Sequence, residues 1–85
     1  MKTLLQSKSL LVNKLNDRII EVNQTQGGEV INKAYINVTK IYAWNYLIEY
    51  NLIQVFFDGV EEGFAFEFDT TLGADILANL LVEMA

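Results

Sequence analysis

The sequence contains neither cysteine nor histidine among its 85 residues, and Arg18 is its single arginine. Without cysteine no disulfide can stabilise the fold, and a zinc site would lack its nitrogen and sulfur ligands. The commonest general base and the strongest side-chain nucleophile are missing as well, and one arginine cannot form a paired phosphate clamp. We therefore expect no enzyme activity, no metal site and no cofactor.

Signals for export and for membrane insertion are also missing. Lys2 and several leucines begin the chain, but the polar residues 6–9 interrupt the apolar run well short of a signal-peptide core. No stretch reaches the roughly 18 apolar residues that a membrane-spanning helix needs. We expect a cytoplasmic protein without a membrane partner. The excess of lysine over arginine, with frequent asparagine and isoleucine, is typical of an AT-rich bacterium or its phages.

An apolar surplus is the first feature that is present. Hydrophobic residues make up 52% of the chain and aromatic residues 12%, although residues 1–85 form only one small domain. A thin core cannot bury so much apolar surface, which favours self-association as a homodimer or an apolar surface for a partner. The alternative is an unusually apolar monomer.

Charge is distributed unevenly along the chain. Residues 1–40 carry six basic and three acidic side chains, whereas residues 41–85 carry eight acidic side chains and no lysine or arginine. The two parts could neutralise each other within one molecule, the acidic part could meet a basic partner, or unlike parts could attract between copies. Because the acidic part would repel phosphates, we expect no direct binding to nucleic acid.

The N-terminal segment has the spacing of an amphipathic helix over residues 3–20. One stripe of that helix would contain Leu4, Leu11, Leu15 and Ile19. The β-branched residues 19–22 could instead begin a strand. A loop is expected at residues 24–28, because they end in two adjacent glycines.

Residues 29–57 are rich in β-branched and aromatic residues, which favours strands. We expect one strand at residues 34–43 and another at residues 47–57, with a turn near Asn45. A helix over residues 29–42 is the alternative, because its apolar positions also fit a 3.6-residue period.

A β-hairpin is the clearest pattern in the sequence. An Asp-Gly pair at residues 58–59 and a further glycine lie between two aromatic runs within residues 53–69. In the second strand, phenylalanine alternates with other residues, so one face should be apolar and the other acidic and solvated. The phenylalanines are Phe64, Phe66 and Phe68, and they alternate with Ala65, Glu67 and Asp69.

The last segment predicts a helix. Thr70 or Thr71 can cap it, and Asp75 suits the positive end of the helix dipole. The side chains expected against the sheet are Leu72, Ile76, Leu80 and Val82 or Met84. The predicted fold class is therefore α+β: an N-terminal amphipathic helix, an antiparallel sheet of about three strands and a C-terminal helix packed on the sheet.

Two sets of side chains are candidates for partner binding. The acidic face consists of Asp58, Glu61, Glu62, Glu67 and Asp69. The aromatic face, for a partner or for self-association, consists of Tyr42, Trp44, Tyr46 and Tyr50. The acidic loop could instead be a solvated hairpin tip or a divalent-cation site, and the aromatic residues could instead pack in the core.

Two functional hypotheses follow. The first is a protein-binding module of a phage or mobile element, whose acidic face docks on the basic surface of a host protein and inhibits or modulates it. A nucleic-acid-binding or defence protein is the expected target, because carboxylates can occupy the positions of phosphates. The second is a homo-oligomeric structural or assembly subunit, for example of a phage particle, held together by the aromatic face.

Overall fold

Strands make up most of the chain. The computed structural model describes residues 2–6, for their backbone, and residues 10–84. Within these residues seven strands precede one helix: β1 Lys2–Gln6, β2 Leu10–Lys14, β3 Ile19–Gln26, β4 Glu29–Asn37, β5 Ile41–Leu47, β6 Leu52–Phe57, β7 Phe64–Glu67 and α1 Thr71–Met84. Two 3-10 turns, Val38–Lys40 and Ile48–Tyr50, join β4 to β5 and β5 to β6.

Six of the strands form two antiparallel groups of three. One sheet has the order β2-β3-β4, and in the other β5, β6 and β7 pair in sequence. β1 extends the second sheet by pairing in parallel with β7. The inner faces of both sheets and one side of α1 share a single core, in which α1 packs against β2 and β6. At 14 residues, α1 is too short to cross a bilayer, and the described residues hold no other candidate span.

The predicted fold class is wrong, beginning with the N-terminal helix. Leu10 and Val12 point towards the core while Leu11 is half exposed, which is the two-residue period of a strand. The side-chain oxygen of Asn16 accepts hydrogen bonds from the backbone N–H groups of Arg18 and Ile19, at 2.8 and 2.9 Å. This polar turn reverses the chain, and pairing with β3 outweighs the helical spacing of the leucines.

The expected loop at residues 24–28 is a much tighter turn. β3 continues to Gln26, which pairs with Glu29, so Gly27 and Gly28 alone connect the two strands. Both glycines have positive φ, 61° and 84°, as a two-residue hairpin turn of the favoured type requires.

Residues 29–57 do form strands, but with other boundaries than predicted. The turn expected near Asn45 is wrong, because Asn45 lies within β5 and its side-chain amide donates to Gln54 Oε1 at 3.0 Å. The chain reverses instead after Ile48–Tyr50, where Asn51 adopts the left-handed conformation with φ 50°. The helix alternative for residues 29–42 is also excluded, since β4 occupies most of that range.

Two outer strands each contain one residue without a cross-strand partner. In β4 the unpaired residue is Ile31, which lies where the register with β3 shifts. In β5 it is Tyr42, which lies where the register with β6 shifts. Each strand is the last in its sheet. Such bulges bend a strand and interrupt the regular spacing of its backbone groups.

The predicted sheet of about three strands is two sheets, and the C-terminal helix is present with a different buried face. Its buried side chains are Ala74, Leu77, Ala78 and Leu81. Of the side chains expected against the sheet, Leu72 and Val82 are 72% and 69% exposed. Leu80 and Met84 are partly buried and pack against the core, as predicted. The two alanines let the helix axis approach the strands closely, whereas the prediction followed the largest apolar side chains.

Candidate functional site

The predicted hairpin is confirmed, but its acidic residues do not share one surface. β6 and β7 pair antiparallel, with Ile53 opposite Phe66 and Val55 opposite Phe64. Of the predicted acidic residues, Asp58, Glu61 and Glu62 lie exposed in the loop before β7, and Glu67 and Asp69 lie at or beyond its other end. Because β7 is four residues long, at about 3.4 Å per residue it separates the two groups by roughly 10 Å or more.

The predicted aromatic residues are divided as well. Trp44 lies opposite Val55 and Tyr46 opposite Ile53, so both side chains share the core-facing side of the sheet and pack against the core. Tyr42 is displaced by the bulge, and its exposed ring lies 6.3 Å from that of Phe56. Trp44 and Tyr46 are therefore partly buried by core packing, whereas Tyr42 and Tyr50 are exposed.

The predicted residues thus fall at two ends of the β5–β6–β7 sheet. The loop end contains Tyr42, Asp58, Glu61 and Glu62. The turn end contains Tyr50, Glu67 and Asp69, together with the turn Ile48–Tyr50 and the start of α1. Each end carries both an exposed tyrosine and carboxylates.

Hydrogen bonds through Asn51 fix the geometry of the turn end. The Asn51 carbonyl accepts from the backbone N–H of Phe68 at 2.9 Å, and Asn51 Oδ1 accepts from the Thr71 hydroxyl at 3.1 Å. Thr70 caps α1, as predicted, because its hydroxyl oxygen accepts from the backbone N–H of Gly73 at 3.1 Å. The turn between β5 and β6 is therefore tied directly to the start of α1.

A second link between the sheet and α1 is the hydrogen bond from the Tyr46 hydroxyl to Asp75 Oδ1, at 2.8 Å. Burial raises the pKa of the Tyr46 phenol above its usual value, and the hydrogen bond to Asp75 and the negative charge of Asp75 raise it further. The phenol therefore keeps its proton and remains the donor to Asp75.

The turn end also exposes apolar side chains that sequence reasoning did not select. Ile48, Tyr50 and Leu72 are 67%, 65% and 72% exposed. A shallow, open depression of about 240 Å³ is lined by Leu47, Ile48, Glu49 and Tyr50. The signal for this turn was the polar pair Glu49 and Asn51 between two apolar runs, but without Gly or Pro it resembled the neighbouring strands.

The negative charge of residues 41–85 is not neutralised by the basic N-terminal part within residues 10–84. Lys14 Nζ and Glu83 Oε1 form an ion pair at 3.3 Å, whereas Arg18, Lys33 and Lys40 form none within that range. Glu49 and Asp69 at the turn end, and the three carboxylates at the loop end, also form no ion pair there. The structure therefore leaves most of this charge facing solvent.

A polar cluster on the outer face of the β2–β3–β4 sheet was also missed. Glu21 Oε1 accepts from the side-chain amides of Asn23 at 2.9 Å and Asn13 at 3.5 Å. These hydrogen bonds, that of Asn23 above all, hold the pKa of Glu21 below its usual range. Asn13 lies on β2 and Glu21 directly opposite it on β3, so the cluster stabilises the register of these strands.

Neither a cluster of metal ligands nor a similarity to known proteins identifies the site further. Within the described residues, no group of three or more potential ligands is placed to hold a metal ion, and Asp58, Glu61 and Glu62 form no such group. No protein-family model, no curated protein and no solved structure matches this chain. Geometry and charge are therefore the features of this chain that indicate a function.

Proposed function

We propose that this chain is a small acidic protein-binding module that docks on a basic surface of another protein and thereby inhibits or modulates it. The observation that best supports this proposal is the charge of residues 41–85, which contain eight carboxylates and no lysine or arginine. Five of them are exposed and form no ion pair within residues 10–84, so their charge is available to a partner: Glu49, Asp58, Glu61, Glu62 and Asp69.

Electrostatics indicate what kind of partner fits. A concentration of one sign of charge speeds the encounter with a surface of the opposite sign and disfavours other partners. Basic grooves that bind nucleic acid are surfaces of this kind, because their lysine and arginine side chains neutralise rows of phosphates. We propose a host protein with such a groove as the target, and a phage or mobile element as the source of the chain.

Capture from a low-GC bacterial lysate with charge-reversed variants tests this function. Three variants change the net charge equally: E61K/E62K at the loop end, E49K/D69K at the turn end, and D17K/E29K as the control in the basic part. All six positions are exposed. We expect the wild type and the control to retain one stoichiometric partner at low salt, and at least one of the other two variants to lose it.

The outcomes separate a specific surface from a general charge effect. Equal loss in all three variants would mean that only net charge matters, and equal retention would mean that the carboxylates play no part. The captured partner is then mixed with a labelled oligonucleotide. Displacement of the oligonucleotide by the chain supports the groove as the target, whereas simultaneous binding of both rules it out.

A further inference from the structure

Two hydrogen bonds tie the residues that flank the turn Ile48–Tyr50 to the first turns of α1. Thr71 donates to Asn51 at 3.1 Å, and Tyr46 donates to Asp75 at 2.8 Å, so the two segments are tied at two points. A surface that is already ordered loses little conformational entropy when a partner binds. This favours binding here over binding at a flexible loop.

Four exposed apolar side chains lie on these two segments. Ile48, Tyr50 and Leu72 are each about two-thirds exposed or more, and Ile76, one helical turn after Leu72, is 43% exposed. Exposed side chains at i and i+4 form a ridge of the kind that packs into the groove of a second helix. Tyr50 has the mixed apolar and polar character that is enriched at protein interfaces.

The depression lined by the turn Ile48–Tyr50 and Leu47 is smaller and more open than a typical small-molecule site. Its volume is about 240 Å³ and it is open, whereas ligand pockets are enclosed and occupy roughly 300–1,000 Å³. A depression of this size and shape suits one apolar side chain inserted by a partner.

Negative charge surrounds the same surface. Glu49 lines the depression and Asp69 is exposed just before α1, and neither forms an ion pair within residues 10–84. An acidic rim repels the anionic headgroups of a bacterial or cytoplasmic membrane surface as it repels nucleic acid. The occupant must therefore combine an apolar face with positive charge.

We infer that the turn end is the docking site for a basic amphipathic helix of the partner protein. The helix lays its apolar face on Tyr50 and Leu72 and inserts one side chain into the depression, while its lysine or arginine side chains meet Glu49 and Asp69. This inference rests on the proposed function, which it deepens by naming the surface and the class of partner segment.

Binding of synthetic peptides to the full chain tests the inference. The probes are an amphipathic peptide of leucine and lysine, a scrambled peptide of the same composition, and an amphipathic peptide of leucine and glutamate. Fluorescence anisotropy gives the affinities. We expect the first peptide to bind at least about tenfold more tightly than the second, and the third not to bind.

Matched variants locate the site. Y50S and L72S are compared with Y42S and V82S, which remove an equally exposed tyrosine at the loop end and an equally exposed apolar residue on another side of the same helix. We expect about a tenfold loss of affinity for the amphipathic peptide in the first pair, as for interface anchors, and less than about twofold in the second. Circular dichroism is used to check that all four variants fold.

The failures are distinguishable. Equal binding of the amphipathic and scrambled peptides, or equal losses in both pairs of variants, overturns the helix-docking inference and leaves the acidic module intact. If neither basic peptide binds at low salt, the docking site fails, whereas the proposed function fails only if the charge-reversed variants and the wild type capture the same partner equally.

Discussion

Asn51 connects three parts of the chain through one residue. Its backbone makes the left-handed turn between β5 and β6, its carbonyl accepts from Phe68, and its side chain accepts from Thr71. Asparagine tolerates the left-handed conformation better than most residues do, and its short amide can reach the neighbouring backbone or side chain. The position therefore combines a conformational and a hydrogen-bonding requirement.

Substitution of Asn51 separates these two requirements. N51A imposes the left-handed conformation on a residue that disfavours it and removes the acceptor of Thr71, so we expect a loss of about 1–3 kcal/mol in the free energy of unfolding. N51G keeps the conformation and loses only the hydrogen bond. Urea denaturation should therefore show N51G to be more stable than N51A; the reverse order would mean that the backbone conformation is unimportant.

Glu21 makes the stability of the fold depend on pH. Its pKa is lowered in the folded state, so the unfolded state binds the proton more readily, and the stabilisation from the carboxylate is present above the ordinary pKa of 4.5. That stabilisation is lost as the pH falls through the lowered pKa of the folded state. We expect E21Q to be less stable than the wild type at neutral pH and to lose less stability on acidification. Parallel curves for the two proteins below about pH 5 would contradict this.

At the scale of elements, the sequence predicted best where local chemistry is decisive. The Asp-Gly pair and the alternating phenylalanines identified the β6–β7 hairpin, and Thr70 identified the start of α1. The leucines of residues 3–20 led to the wrong prediction of a helix, because their spacing fits a helix. The pairing of β2 with β3 determines the structure instead. β2 and β3 form a local hairpin, and its turn at residues 15–18 was missed because it contains neither glycine nor proline.

The buried face of α1 could not be predicted from the local sequence, because it depends on packing against strands distant in sequence. Apolar residues occur on several sides of this helix, and only packing against β2 and β6 selects the stripe that contains Leu77. We expect L77A to lower the free energy of unfolding by about 2–5 kcal/mol and L72A to change it by less than about 0.5 kcal/mol. Chemical denaturation measures both. A larger effect of L72A than of L77A would restore the face that the sequence predicted.

The candidate sites were predictable only in part, for a related reason. Composition located the carboxylates and tyrosines, but not their division between two ends of a sheet, which the short β7 and the bulge at Tyr42 determine. Leu72 was assigned to the core because large apolar side chains are usually buried. Its exposure becomes evident only when the two alanines of α1 are seen to occupy the core side.

For the whole molecule, charge is the dominant long-range feature. Carboxylates are concentrated in residues 41–85, and the ion pair of Lys14 with Glu83 is exposed and therefore contributes little. Repulsion among the carboxylates should oppose folding, and added salt should screen it. We expect the melting temperature to rise as NaCl is increased from low to moderate concentration. A fall measured by calorimetry would mean that attractive pairs outweigh the repulsion.

The bulges at Ile31 and Tyr42 have a consequence for aggregation. Many exposed apolar side chains and four sheet edges, formed by β1, β2, β4 and β5, favour growth into fibrils by the addition of strand upon strand. An incoming strand, however, would meet backbone N–H and C=O groups whose regular spacing breaks at Ile31 in β4 and at Tyr42 in β5. Templated strand addition is therefore disfavoured along these two of the four sheet edges.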